Sequence, residues 1–151
     1  MKYFLILMTV LLVSNTTQAQ AKEFYNPEGV WLTENKRSVI KIEKCGEKLC
    51  GNIYWIIEGG MQIDSKNPAP ARRGQKMCGL EIMRGLKQSN QNKNHWLDGE
   101  IYKADDGDIY SAKLQIKSPD TITVRGYRGI SLLGKSQDWQ RVSAKNYPAC
   151  K

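Results

Sequence analysis

The sequence has a single histidine, His95, and its four cysteines contain no Cys-x-x-Cys pair. Tetrahedral zinc sites draw on clustered Cys and His, and thioredoxin-like redox sites on that close pair, so no metal or dithiol centre is expected. Ser111, Ser131 and Ser136 lack the strand–turn–helix setting of a nucleophile elbow, and no sequence link joins them to His95, which sits beside a turn and reads as a surface residue. Asp105, Asp106 and Asp108 do not make a calcium loop. An EF-hand needs a Glu at its twelfth position, and counting from Asp105 reaches Ile116. Repeats, heptads and low-complexity tracts are missing too. The leading apolar run covers only residues 3–13, about half of the ~20 residues a spanning helix needs. No catalytic residue and no cofactor are therefore expected.

That short run has a different meaning. A basic start at Met1-Lys2, the apolar stretch and a polar stretch ending Ala19-Gln20-Ala21 make the tripartite pattern of a secretory signal peptide. The expected cleavage follows Ala21, leaving residues 22–151 as one exported domain, periplasmic or secreted, with no membrane span. No cysteine near the cleavage site offers a lipid anchor. In an exported chain, Cys45, Cys50, Cys78 and Cys150 read as disulfide partners. Four cysteines allow three pairings. Cys45 and Cys50 flank a short turn and are expected to pair, which leaves Cys78 for Cys150. The formal net charge of +8 favours anionic partners. Tyr54, Tyr102 and Tyr127 could stack bases as in an OB-fold, but the strand count below exceeds the five of that fold, and no nucleic-acid role is expected.

Between the termini the signal is period-two alternation broken by turn residues, which is the pattern of β-strands. Strands are expected at 30–33, 37–44, 50–57, 80–86, 95–104, 108–117, 121–127 and 136–143. The sixth alternates most clearly: Tyr110, Ala112, Leu114 and Ile116 on one face, Ser111, Lys113, Gln115 and Lys117 on the other. Residues 58–79, with Gly59-Gly60, Asn67-Pro68, Pro70 and Arg72-Arg73-Gly74, form a long irregular connection. Loops of that length are uncommon in compact domains and are often functional. Eight sequential strands with mostly short turns predict an all-β, up-and-down antiparallel barrel, because closure removes exposed edges. A β-sandwich is the alternative. Trp31 in the first strand would plug one end, and Arg141 in the last would lie over its ring, joining first strand to last. Trp139 is the other candidate for that buried position.

Four stretches carry a resemblance: Cys45-Gly46-Glu47-Lys48-Leu49-Cys50-Gly51, Met77-Cys78-Gly79-Leu80, residues 106–112 and residues 129–136. With the Gly29-Val30-Trp31 start and the late Arg141, they resemble a family of small uncharacterised bacterial exported proteins with lipocalin-like, or calycin, barrels. The resemblance implies a barrel and an envelope or secreted location, and it transfers no catalytic residue.

An eight-stranded barrel either fills its interior with side chains or encloses one small ligand. Two functions follow. In the first, the protein carries a small amphipathic molecule such as a fatty acid, with Trp31, Ile42, Ile53, Trp55, Tyr110, Leu114 and Val124 lining the cavity. The 58–79 loop is then a lid whose Arg72 and Arg73, with Lys76 nearby, meet an anionic head group. In the second, the barrel is filled, and the protein binds an envelope protein or inhibits an enzyme through its loops and basic surface.

Overall fold

A computed structural model describes residues 23–57 and 59–150; the expected signal peptide lies outside them. Eight strands run β1 (Gly29–Leu32), β2 (Ser38–Cys45), β3 (Lys48–Ile56), β4 (Glu81–Gln88), β5 (His95–Lys103), β6 (Asp108–Ser118), β7 (Thr121–Tyr127) and β8 (Lys135–Val142). Each pairs antiparallel with the next, and β8 returns to β1, closing the barrel in sequence order. Three 3-10 turns (Pro70–Arg72, Ser131–Leu133 and Ala144–Asn146) are the only helical elements among the described residues, and no helix there is long and apolar enough to cross a membrane.

Up-and-down connectivity sends alternate connections to opposite ends of the barrel. The end bearing the β2–β3, β4–β5 and β6–β7 turns is solid. Trp31, Ile42, Leu49, Leu86, Trp96 and Leu114 are buried in its core. A strap at residues 23–28 is tied to this end. The Asn94 side chain donates to Glu23 O (2.6 Å) and accepts from Tyr25 N (3.0 Å), and Trp31 Nε1 donates to Pro27 O (2.9 Å).

The first and last strands meet as the Trp31–Arg141 pair of the β1–β8 register. The Arg141 guanidinium lies 4.1 Å from the Trp31 ring centroid and donates to the carbonyls of Asn26, Glu28 and Pro119. A cation over an indole contributes roughly 0.5–2 kcal/mol, and here it also satisfies three strap and turn carbonyls. Gly29 makes room for it: its φ is +143°, and a Cβ there would fall 2.3 Å from Arg141 Nη1. Trp139 is buried as well, but in the wall of the open end.

Two local features depart from the sequence reading. The β2–β3 hairpin is tighter than expected: Cys45 pairs with Lys48 across Gly46-Glu47. Cys45 and Cys50 are therefore diagonal neighbours on one face rather than directly opposed, with Cα atoms 5.9 Å apart, and they form a disulfide. Further along, a β-bulge breaks the register, so that Val39 pairs with Trp55 but Ile40 pairs with Ile53. The extra residue, Tyr54, reverses the alternation. Ile53 and Ile56 both face the interior, and Trp55 does not.

Candidate functional site

The other end of the barrel is open. β1, β3, β5 and β7 finish there, and between them lies a cavity of about 580 Å³. That volume is within the range of small-molecule sites. Ile53, Ile56, Met77, Ile82, Ile101 and Val124 supply apolar walls, and Trp139 lines it with its Nε1 held by Gln137 Oε1 at 3.0 Å. Tyr102, Tyr110, Thr33, Ser38 and Gln137 add polar groups. Gly126 leaves space: a Cβ there would make only ordinary contacts with Ile101 and Tyr110, at 3.5 and 3.7 Å.

The rim is basic. Arg37, Lys103, Arg128 and Lys135 border the mouth. Three are matched by carboxylates: Arg37 with Asp105 at 3.6 Å, Lys103 with Asp106, and Arg128 with Asp108. Arg128 also stands 4.7 Å from the Tyr110 ring centroid. Lys135 has no carboxylate partner among the described residues.

The long β3–β4 connection forms one side of the mouth, contributing Gly60, Met61 and Met77 to the lining. It is pinned at several points. Cys78 is bridged to Cys150, whose amide donates to Tyr54 O, so the C-terminal segment clamps the end of the loop against β3. Lys66 Nζ donates to Asp105 O at 2.7 Å, and Gly107 (φ +79°) lies so close that a Cβ would come within 2.0 Å of Lys66 O.

At the centre of the loop, the fully buried Asp64 carboxylate accepts from Asn67 Nδ2 (2.7 Å), Gln75 Nε2 (2.8 Å) and the Tyr102 hydroxyl (2.5 Å). Burial pushes the Asp64 pKa up, but the three hydrogen bonds together outweigh it and hold the group below its ordinary value. The Tyr102 phenol is raised, by burial first and then by its bond to Asp64, so it stays a donor. A wall residue of the cavity is thus fastened to the loop that borders it.

Of the residues expected to line the cavity, Ile53, Tyr110 and Val124 do so. Trp31, Ile42 and Leu114 do not, because they belong to the solid end, and Trp55 does not, because the bulge turns it away. Arg72 and Arg73 also lie off the cavity. Pro70 starts a 3-10 turn that carries Arg72 to the surface, and Arg73 Nε donates to Asn67 O at 2.9 Å, folding back on the loop. The mouth cations come instead from the other connections at this end (Arg37 and Arg128) and from the strand ends beside them (Lys103 and Lys135). Their signal was available, since every second connection of an up-and-down barrel shares one end. Met61 and Met77 could not be found that way, because the path of the loop is a tertiary matter.

A closed eight-stranded antiparallel barrel, solid at one end and hollow at the other, defines the lipocalin-like class. The chain belongs to the bacterial family described as "Uncharacterized protein conserved in bacteria (DUF2147)", whose model matches residues 29–141. The structure is similar to that of HP1028 from Helicobacter pylori, described as belonging to the lipocalin family. The TM-score is 0.72 at 20% identity, over 81% of this chain and 86% of that one. No curated protein matches the sequence.

Proposed function

We propose that the protein is an exported carrier that holds one small amphipathic molecule, of the fatty-acid kind, in the open end of its barrel. The cavity carries this reading: apolar walls, a few placed polar groups, and a lysine at the mouth without a carboxylate partner among the described residues. Ligand sites have that composition. The apolar body of the ligand lies among Ile53, Ile82, Ile101 and Val124, and its anionic head meets Lys135, with Tyr110 and Gln137 in reach. Export is supported by the signal-peptide pattern at residues 1–21 and by the two disulfides, which form and persist outside the reducing cytosol. An interaction module acting through its loops would need no such hollow.

Titration with lauric and palmitic acids, read by Trp fluorescence and calorimetry, tests the reading. Trp139 lies in the cavity and reports on occupancy. Saturable one-to-one binding is expected. Lys135→Gln should weaken it about two- to fivefold, since an ion pair to an exposed lysine is screened by solvent and contributes up to about 1 kcal/mol. Equal affinity in wild type and Lys135→Gln would remove the head-group assignment.

A further inference from the structure

We propose that the β7–β8 connection docks the protein, mouth first, on a bilayer containing anionic phospholipid. Its tip presents Ile130, Leu132 and Leu133 at 60, 83 and 77% exposure. These are the three most exposed large hydrophobic residues among those described, and they fall within four positions of sequence. Aliphatic side chains turned to water in one cluster mark an interaction site rather than core.

The loop is held in this posture. From β7, Arg125 donates Nε and Nη2 to Ser131 O (2.9 and 2.7 Å), and Nη2 also to Leu132 O (3.1 Å). Leu133 N donates to Ile130 O and Gly134 N to Ser131 O. The carbonyls of Ile130, Ser131 and Leu132 are therefore satisfied within the loop while the side chains of the tip are exposed. Each carbonyl matched in this way lowers the cost of placing the tip near hydrocarbon, where an unmatched polar group is costly.

The charges beside the tip select the surface. Lys113 and Arg125 are direct register partners on β6 and β7. Like charges placed opposite each other repel. Neither Lys113, Arg125 nor Lys135 has a carboxylate partner among the described residues. A layer of lipid phosphates would relieve that repulsion while the aliphatic tip enters the headgroup boundary, the usual pairing of forces in peripheral membrane binding. Three residues are far fewer than the about 20–30 a side that a standard protein interface engages. Leu133 is also part of the cavity mouth, so a docked protein would open its hollow toward the lipid. This last point rests on the carrier reading; the docking does not.

The test is co-sedimentation of the mature protein with vesicles of phosphatidylcholine alone or mixed with phosphatidylglycerol. Binding to the mixed vesicles, weakened by salt, is expected. The double substitution Ile130→Ser with Leu132→Ser should reduce it about tenfold or more without altering the melting temperature, because both side chains are exposed. Lys113→Gln should weaken binding and flatten its salt dependence. Fatty-acid titration of the double variant should match wild type, so the docking and carrier readings fail separately. The proposal is overturned by absence of binding to the mixed vesicles at low salt, by equal binding to both vesicle types, or by undiminished binding of the double variant. A concentration-dependent dimer that the double variant abolishes would overturn it in favour of a protein interface.

Discussion

Replacing Asp64 by Ala should loosen the wall of the cavity before it disturbs the barrel. The carboxylate is the shared acceptor for three donors, and a hydrogen bond to a charged group contributes about 1.5–3 kcal/mol. The simple sum overstates the loss. Gln75 and Tyr102 are only half-buried and can turn to water, and the substitution also removes the cost of burying a charge. A net loss of roughly 2–4 kcal/mol is expected. The sign of its pH dependence follows from the pKa direction. Folding holds Asp64 below the ordinary carboxylate value, near 3.9, so its stabilisation is complete above that value and is lost as pH falls through the folded pKa. Urea unfolding of wild type and Asp64→Ala should therefore differ by a constant amount from neutrality down to about pH 4, with the gap narrowing below it. The same variant should bind fatty acid more weakly, because Met61 and Met77 ride on the loop. A gap under about 1 kcal/mol at neutral pH, or one that persists unchanged in acid, would refute the role assigned to Asp64.

Two further substitutions probe the frame. Trp31→Ala removes a fully buried indole and the seat of Arg141, and should cost roughly 3–5 kcal/mol; an unchanged melting temperature would refute its place as the plug. Paired Cys78→Ser and Cys150→Ser changes open a bridge with a sequence separation of 72 and should cost about 4 kcal/mol in the chain-entropy model, against about 2 kcal/mol for the short Cys45–Cys50 loop, a difference that denaturant midpoints will resolve.

The barrel was legible in the sequence because its information is local. Alternation such as Tyr110, Ala112, Leu114 and Ile116 marks a strand and its inner face without reference to any partner, and short turns then dictate the topology. The Trp31–Arg141 closure could be read because an up-and-down barrel leaves only the first and last strands to be joined. The site was harder. Alternation names the inward residues but not how far up the barrel each one lies, so Ile42 and Leu114 of the solid end looked the same as Val124 of the hollow one. The bulge that turns Trp55 out adds one residue to a run that otherwise alternates, and nothing in the sequence marks it. Asp64 reads as an ordinary turn residue in a Gly- and Pro-rich loop. Its role depends on Tyr102, 38 positions away, and so belongs to the tertiary fold.

The hollow is the feature on which the carrier account stands, and filling it tests that account most directly. Gly126 faces the cavity from β7, where a Cβ meets only ordinary contacts, so Gly126→Leu should fold while occupying the space the ligand needs. Calorimetric titration of wild type and Gly126→Leu with palmitic acid is the measurement. The account predicts saturable one-to-one binding by the wild type and its loss in the folded variant. Binding that survives with unchanged affinity in the folded variant, or a wild type that binds no amphiphile at high micromolar concentration, would contradict it.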